Sequence, residues 1–336
     1  MRAARHDRDR RRRLVTGVLV LLVVAVYAVT LMVGRTVHTP AEVLDVLLGR
    51  DAAGAAFTVG TLRLPRATLG LLAGLAFGVA GVTFQTMLRN PLASPDIIGI
   101  SSGASTAAAF AIVVLGLDGA GVSAFAIVAG LGVALLVYLL SYRGGVAGTR
   151  LVLVGIGVSA VLQSATAFIL DRAPDWALQD AMRWLTGSLN GATWAQTRPL
   201  AVALVLLGPV LLAHGRSLAL LQLGDDTAAA LGVRVDRTRL VGVLVAVTLL
   251  SFATAAAGPI AFVAFLAGPL ASRLVGPCGS LLVPAALVGA LLVLLADYCG
   301  QFAFGSRYPV GVVTGVLGAP YLLYLLVRTN RAGGSL

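Results

Sequence analysis

Ser101 lies in a segment that resembles a catalytic motif, since Gly99-Ile100-Ser101-Ser102-Gly103 fits the pattern GxSxG. A serine becomes a nucleophile when a base lies beside it, and that base is most often histidine. The three histidines are His6, His38 and His214, and none of them lies inside an apolar run. Small residues at the beginning of a helix explain the segment better. We therefore predict no catalytic residue, and hydrolysis by Ser101 remains only an alternative.

The basic residues exclude a second kind of chemistry, because all 25 of them are arginine. A phosphate-binding loop of the form GxxxxGK[ST] needs a lysine to reach the nucleotide phosphates. No such loop is possible in this sequence. If ATP drives the protein, the hydrolysing site must therefore lie on another chain. The sequence also lacks HExxH, paired histidines and clustered cysteines, so no metal or other cofactor is expected.

Asp297 is the acid that lies clearly inside an apolar run, about one turn from its outer end. An ionisable side chain within a membrane is expensive, and such residues are often functional. It could pair with an arginine at the outer mouth, serve as the proton site of an ion-coupled carrier, or form a structural hydrogen bond between helices. A proton-driven carrier would more often hold several acids near the midplane. We therefore favour the structural interpretation and keep the carrier as an alternative.

Three arginines are expected on the outer surface: Arg63 and Arg66 before the second apolar segment, and Arg307 before Pro309. Guanidinium groups bind carboxylates through two parallel hydrogen bonds, so this group could hold acidic side chains of another protein. The same side chains could instead extend to lipid phosphates. The residue types alone leave both interpretations open.

The apolar segments that must position these side chains dominate the composition. Hydrophobic residues make up 58% of the 336 residues and charged residues only 12%, with a mean hydropathy of +0.95. This composition is typical of a membrane protein, in which one span takes about 20 mostly apolar residues. The sequence predicts an all-α polytopic bundle of ten transmembrane helices, at about 14–33, 64–88, 97–116, 121–140, 150–170, 197–213, 239–257, 259–275, 281–300 and 310–327.

The ends of the chain predict its orientation. Seven arginines stand among the first 13 residues, directly before an apolar run. Arginine-rich segments stay on the cytoplasmic side, which explains the net charge of +11 without any binding of nucleic acid. An even number of spans then returns the carboxyl terminus to the cytoplasm. We expect a basic cytoplasmic tail at 1–13, a single transmembrane domain at 14–330 and a second tail at 331–336.

Residues 214–238 form the large polar loop on the predicted cytoplasmic side, where a soluble partner could bind. In this loop Asp225 or Asp226 could cap a short helix and Gly232 could end it. We predict a helix of two turns at most, which suits docking into a groove on a cytoplasmic protein. A solvated connector fits the capping pattern equally well. A second short helix is expected outside, at Ala41–Leu48.

Glycine and proline mark the helices that are expected to pack closely or to break. Four glycines of the second span are three or four residues apart: Gly70, Gly74, Gly78 and Gly81. They share one helical face, which lets a neighbouring backbone approach closely and could line a moving interface or serve ordinary packing. Three further positions combine glycine and proline and predict breaks, which usually line a cavity: Gly258-Pro259, Gly268-Pro269 and Pro309-Val310-Gly311.

Seven blocks in order along the chain resemble one family of membrane proteins. The blocks are Arg63-Leu64-Pro65-Arg66, Arg89-Asn90-Pro91-Leu92-Ala93, Gly99-Ile100-Ser101-Ser102-Gly103-Ala104, Trp184-Leu185-Thr186-Gly187-Ser188-Leu189, Gly224 to Gly232, Gly258-Pro259-Ile260-Ala261-Phe262-Val263, and Pro309-Val310-Gly311-Val312-Val313-Thr314-Gly315 with Gly318-Ala319-Pro320. They resemble the FecCD-type permeases, the integral membrane subunits of ATP-binding cassette importers for iron-siderophore complexes, haem and cobalamin. The resemblance extends from the second span to the end of the chain.

The resemblance implies two ten-helix permease subunits around a central pathway in the cytoplasmic membrane. Two cytoplasmic ATPases would lie below them and an extracytoplasmic binding protein above. The implied function is uptake of a ferric siderophore, with haem or cobalamin as alternatives. Docking of the binding protein would fall to Arg63 and Arg66, and less directly to Arg307, because Tyr308 follows it where many relatives carry a glutamate.

The resemblance also assigns contact with the ATPase to one segment, the coupling helix. Its residues are Gly224, Asp225, Asp226, Thr227, Ala230, Leu231 and Gly232. We further expect eight residues to belong to pathway or gate helices: Gly74, Gly78, Asn90, Pro91, Gly258, Pro259, Pro309 and Gly311. The segment Ala267-Gly268-Pro269 departs from the Ala-Pro-His or Ala-Pro-Gln of many members. It is similar to the second subunit of paired siderophore permeases and favours a heterodimer.

Overall fold

The computed structural model describes residues 2–50, 54–141, 148–276 and 279–331, and within these ranges the chain is helical without any strand. The α-helices, numbered in chain order, are α1 (Arg2–Met32), α2 (Pro40–Leu47), α3 (Leu64–Leu88), α4 (Ile100–Val113), α5 (Gly119–Ser141), α6 (Gly148–Asp171), α7 (Asp175–Leu185), α8 (Trp194–Leu221), α9 (Asp225–Ala230), α10 (Val235–Ala257), α11 (Val263–Val275), α12 (Leu282–Phe302) and α13 (Val310–Arg331). A π-helical segment, Ala56–Arg63, leads into α3, and a 3₁₀ turn, Pro95–Ile98, precedes α4.

The apolar helices correspond one by one to the ten segments predicted from the sequence. Seven of them are long and apolar enough to cross a membrane: α1, α3 with its π-helical extension, α5, α6, α8, α10 and α12. The apolar parts of α4, α11 and α13 are shorter. At 1.5 Å per residue, a 14-residue helix such as α4 covers only about 21 Å of a hydrocarbon core about 30 Å thick. The predicted bundle is confirmed. Because α4 and α11 are too short to cross the hydrocarbon core alone, irregular segments beside them are needed to complete the crossing.

Several boundaries differ from the expected ones. The basic residues of the predicted tail belong to α1, because arginine favours helix and no glycine or proline precedes Gly17. Helix α8 extends to Leu221, so the polar loop begins about eight residues later than 214; apolar Leu218 and Leu221 are buried and hold this extension against the bundle. Beyond residue 331, the predicted carboxyl tail lies outside the described residues.

Helix α3 occupies the centre of the bundle and packs against α8, α10, α11 and α12. Its glycines explain the close approach, because a Cβ atom on Gly74 would lie 2.5 Å from the Ala290 Cα of α12. A Cβ atom on Gly81 would overlap the Ala264 carbonyl of α11, and Gly289 of α12 lies directly against Gly78. Such contacts are typical of small-residue packing between membrane helices. The glycine face thus serves tight packing of α3 along most of its length.

Candidate functional site

Arg66, in the first turn of α3, forms a two-point ion pair with Asp297 of α12. The Arg66 Nε donates to Asp297 Oδ2 at 2.9 Å and Nη2 donates to Oδ1 at 2.7 Å. The two side chains are only 17% and 7% exposed. Paired guanidinium–carboxylate hydrogen bonds of this geometry are among the stronger polar contacts in proteins. Asp297 therefore has the arginine partner at the outer end that was one of its three expected roles.

Two amides complete the ion pair. Asn190, in the loop between α7 and α8, accepts a hydrogen bond from Arg66 Nη1 at 2.6 Å. Gln301 donates from Nε2 to Asp297 Oδ2 at 2.7 Å. Because both carboxylate oxygens have donors, the arrangement favours a structural role for Asp297 over an exchangeable ion site. We call these four residues the outer cluster; it joins α3, α12 and the α7–α8 loop.

The other two outer arginines differ in what their side chains contact. Arg63 ends the π-helical segment, and its Nη1 donates to the main-chain oxygens of Leu31 at 2.9 Å and Met32 at 3.0 Å. Its Nη2 donates to the Thr36 carbonyl at 2.6 Å. Arg63 therefore binds carbonyls at the end of α1 and in the segment that follows it. Arg307, between α12 and α13, is exposed and has no hydrogen-bonding or ion-pair partner within the described ranges.

Three glycines bring the segments around positions 187, 258 and 311 together at the outer end. The Ser188 amide donates to the Ala257 carbonyl at 2.8 Å, and the Gly311 amide donates to the Gly187 carbonyl at 3.1 Å. A Cβ atom on Gly258 would lie 2.5 Å from the Trp184 carbonyl, and one on Gly311 would overlap the Thr186 carbonyl. Only glycine permits these main-chain contacts.

The expected breaks of the apolar helices follow from this junction and its neighbours. Gly258, with a positive φ of 72°, ends α10. Pro259 and the following residues are not helical until α11 begins at Val263. Pro309 lies immediately before α13, whereas Pro269 lies inside α11 without ending it. The predicted breaks at 258–259 and at 309 are therefore present. The predicted break at 268–269 is wrong, because Pro269 is the seventh residue of α11 and the helix continues on both sides of it.

A cavity of 390 Å³ opens beside the junction, between α4, α5, α7 and the end of α10. Trp176 and Trp184 contribute aromatic surface, and Asp180 and Arg183 contribute a charged pair 3.7 Å apart. Asn190 of the outer cluster also lines it. Asp118 also lines the cavity, and the only charged pair among the described lining residues is the one between Asp180 and Arg183.

At the opposite end of the bundle, Asp225 is held by two arginines from different helices. Arg239 of α10 donates from Nη2 to Asp225 Oδ1 at 2.9 Å, and Arg89 Nη2 contacts the same oxygen. Arg89 also donates from Nε to the Leu221 carbonyl, at the end of α8, at 2.7 Å. We call Arg89, Asp225 and Arg239 the inner clamp. It links the ends of α3, α8, α9 and α10.

The predicted coupling helix is present as α9, with one correction. Its N-cap is Gly224, at φ 108°, with no side-chain capping hydrogen bond. Asp225 is the first helical residue, so the expected capping by Asp225 or Asp226 is wrong. The carboxylate of Asp225 binds the arginines of the inner clamp instead, since charged donors are stronger partners than main-chain amides. Gly232, at φ 84°, follows the end of the helix as predicted.

The remaining residues of the coupling segment form its free surface. Ala228 is buried against the bundle, whereas Asp226, Thr227, Ala230 and Leu231 are exposed. Leu231 is 58% exposed, and Leu223, at the other end of α9, is 59% exposed. Two exposed leucines therefore flank the exposed face of α9.

Arg89, Asn90 and Pro91 end α3 at the same side of the bundle. Arg89 is left-handed at φ 51°, and the Asn90 side chain accepts a hydrogen bond from the Leu92 amide at 2.8 Å. A cavity of 260 Å³ lies here, lined by these three residues and by α11. On α11, a Cβ atom on Gly268 would overlap the Gln85 side-chain oxygen, so this glycine makes room for Gln85.

Asp96 was not singled out from the sequence, although it lies beside Ser101. Its carboxylate accepts hydrogen bonds from Ser94, at 3.1 Å, and from Ser101. Ser101 thus contacts an acid rather than a histidine. The Ser94-Pro95-Asp96 turn pattern could have drawn attention to this residue.

Four other residues of these clusters were given no role from the sequence. One is Gln301, which follows its partner Asp297 by four positions in α12, a spacing that brings two side chains of a helix together. Arg89, Asn190 and Arg239 have ordinary types for loop or helix ends, and their partners are 14 to 136 positions away along the chain. Nothing in their immediate sequence indicates these contacts. The spatial grouping appears only when the helix ends are placed.

Comparison with known proteins gives a consistent result across the chain. The model of the FecCD transport family matches residues 20–328. The ferric enterobactin transport system permease protein FepG of Escherichia coli (strain K12) is 42% identical over 325 residues, covering 96% of this chain and 98% of FepG. The achromobactin transport system permease protein CbrC of Dickeya dadantii (strain 3937) is 43% identical over 315 residues, covering 93% and 90%.

A second permease protein of the ferric enterobactin system of Escherichia coli (strain K12), FepD, is 36% identical over 324 residues, covering 95% of this chain and 96% of FepD. Among solved structures, an inward-facing conformation of a transporter assigned to the metal-chelate ABC type superposes with a TM-score of 0.82. It is 27% identical, and the match covers 94% of this chain and 99% of that one.

Proposed function

Because the chain belongs to the FecCD transport family, we propose that it is the permease subunit of an ATP-binding cassette importer that carries a ferric siderophore across the cytoplasmic membrane. The observation that carries this proposal is the 42% identity to a ferric enterobactin permease over 96% of the chain. Haem and cobalamin are the other ligands to be compared in uptake experiments. The multi-pass fold supplies the conduit, and the chain itself changes no covalent bond.

The energy for transport comes, in this proposal, from a separate ATPase. The sequence has no lysine and so no lysine-containing phosphate loop. Helix α9, flanked by the exposed Leu223 and Leu231, is the surface that the ATPase would contact. Both termini would lie in the cytoplasm, because the arginine-rich beginning of α1 favours that side and an even number of spans returns the carboxyl end to it. The proposed organisation is a basic cytoplasmic tail at 1–13, a single transmembrane domain at 14–330 and a second cytoplasmic tail at 331–336.

A second permease subunit would complete the pathway. FepG and FepD are both named as permease proteins of the ferric enterobactin system, and this chain resembles both. We therefore propose a heterodimer with a related permease.

Movement of the pathway would be a rigid rocking of packed helices. The glycine contacts of α3 with α11 and α12 leave little room for sliding within one subunit. Domain-scale shifts of this kind close one mouth and open the other. Gly74 and Gly78 would keep the central helix rigid, whereas Asn90 and Pro91 at its inner end, and Gly258, Pro259, Pro309 and Gly311 at the outer junction, would shape the two mouths.

An exposed leucine on α9 provides the first test. Replacing Leu231 with aspartate should weaken ATPase binding roughly 30-fold, the equivalent of about 2 kcal/mol for a central apolar contact. The measurement is the amount of ATPase that copurifies with the tagged permease complex. Leu48→Asp is the control, because Leu48 is 56% exposed, compared with 58% for Leu231, and lies on the outer side. Equal recovery of ATPase with both variants would remove α9 from the interface.

Arg307 provides a test of the outer surface. The resemblance assigns docking to Arg63 and Arg66, yet the guanidinium groups of both form hydrogen bonds within the chain. Arg307 is therefore the arginine of the three that is most accessible to another protein. Replacing Arg307 with glutamate should slow association of the binding protein about tenfold and change its salt dependence, as reversal of a rim charge does. The measurement is association kinetics on the reconstituted complex. Arg50→Glu, in another outer loop, is the control, and equal rates for both variants would contradict docking at Arg307.

A further inference from the structure

Helix α3 carries an arginine bound to an acid at each end. At the outer end, Arg66 binds Asp297 with both carboxylate oxygens engaged. At the inner end, Arg89 binds Asp225, the first residue of α9. The chain therefore contains a continuous helix whose two ends are fixed to different parts of the protein by ion pairs.

The inner clamp concentrates its contacts on one oxygen atom. Asp225 Oδ1 accepts from both Arg89 of the α3 end and Arg239 of α10. Arg89 additionally holds the Leu221 carbonyl at the end of α8. Loss of one carboxylate would therefore release α9 from two neighbouring helices at once, whereas the adjacent Asp226 is exposed and has no partner among the described residues.

The inner clamp is a weak source of stability. The Asp225 side chain is 44% exposed, Arg89 is 39% exposed and Arg239 is 22% exposed. Ion pairs this accessible to water contribute little to folding free energy. Their geometry nevertheless fixes the position of α9 relative to α3 and α10. A contact can contribute little to the free energy of folding and still determine where a helix lies.

Helix α3 is suited to carry a displacement from the clamp to the outer end. Its glycines pack main chain against main chain on α11 and α12, so a shift at one end is not absorbed by loose side chains. The outer cluster then connects the helix to the α7–α8 loop through Asn190. A physical route therefore extends from α9 to the outer junction.

We propose that Asp225, held by Arg89 and Arg239, is the joint that passes a displacement of α9 to α3 and α10. The three residues are positioning residues, since they act by holding α9 against α3 and α10. This inference rests on the proposed function, because the displacement is supplied by the ATPase. It assigns to Arg89 and Arg239 a role in transport that is separate from binding the ATPase.

The test compares Asp225→Asn with Asp226→Asn, a matched change at the neighbouring exposed acid. Each variant is assembled with its second permease, the ATPases and the binding protein in proteoliposomes, with ferric enterobactin as the probe. Three quantities are measured: bound ATPase, ATP hydrolysis and uptake of iron. For Asp225→Asn we expect uptake per ATP hydrolysed to be at least about tenfold lower than for Asp226→Asn, whatever amount of ATPase remains bound, within the usual range of coupling between sites. Asp225→Glu should restore most of the coupling.

The outcomes separate the joint from the proposed function. If uptake per ATP is the same for Asp225→Asn and Asp226→Asn, the joint is wrong while the importer stands. If uptake falls only in proportion to lost ATPase, Asp225 is a binding residue and the joint is also wrong. If the unaltered complex hydrolyses ATP but moves no ligand of this family, the proposed function fails and the joint fails with it.

Discussion

Replacing Asp297 with alanine is expected to lower the free energy of unfolding by about 3–5 kcal/mol, because a buried arginine is left without its counter-ion. Arg66 is 17% exposed and would keep only its hydrogen bond to Asn190. The measurement is equilibrium or thermal unfolding of the purified chain in detergent. The control is Asp180→Ala, which removes a 3.7 Å pair whose side chains are 64% and 60% exposed. That change should lower the stability by no more than about 1 kcal/mol.

A second variant distinguishes the missing charge from the missing volume. In Arg66→Met with Asp297→Leu, both charges are replaced by apolar groups of similar size, which is often neutral when an ion pair is buried. We expect the double variant to be more stable than Asp297→Ala by about 2 kcal/mol or more. If Asp297→Ala and Asp180→Ala had equal effects, or if the double variant were the least stable of all, the outer cluster would not hold α3 to α12.

Replacing Gly311 with alanine is expected to destabilise the chain by about 3 kcal/mol, at the upper end of the range for overpacking. The added Cβ would overlap the main-chain carbonyl of Thr186, which cannot rotate away as a side chain could. The same shift would lengthen the hydrogen bond from the Gly311 amide to the Gly187 carbonyl. Unfolding in detergent measures the loss, and transport should fall with it because the outer junction is displaced.

Gly315, one turn further along α13, is the matched control. A Cβ atom there would meet nothing within 4 Å, and alanine favours helix over glycine by about 1 kcal/mol. Gly315→Ala should therefore leave stability unchanged or raise it slightly. Helix propensity alone would not explain a loss of stability in Gly311→Ala together with a gain in Gly315→Ala, because both substitutions lie in α13. Destabilisation of equal size at both positions would contradict the close main-chain contact at 311.

The helices were predictable because their signals are local. Runs of apolar residues mark each span, and the short helix expected at Ala41–Leu48 is found at Pro40–Leu47. Helix α9 was likewise indicated by its alanines and by Gly232. The extension of α8 to Leu221 was not, because residues 214–221 include His214 and Arg216 and look polar from sequence alone. Packing of Leu218 and Leu221 against the bundle decides the outcome there.

The partners of the charged residues were less predictable than the helices. Asp297 was expected to pair with an arginine or to form a hydrogen bond to another helix. The partner that the structure gives it, Arg66, is 231 positions away, and no spacing rule connects the two residues. Asp225 was expected to cap α9, because a local rule favours that role, and two distant arginines displaced it. Sequence patterns describe contacts within a turn or two, whereas these clusters depend on which helix ends meet in space.

Uptake by the reconstituted complex decides whether the chain works as an ATP-driven permease. Proteoliposomes would contain this chain and its second permease, with or without the ATPase subunits, and would receive binding protein loaded with ferric enterobactin. We expect iron uptake that requires both the ATPase and hydrolysable ATP, and that is unaffected when proton and sodium gradients are dissipated. Uptake that continues without the ATPase and stops when an ion gradient is removed would contradict this expectation, and would identify the chain as an ion-coupled carrier instead.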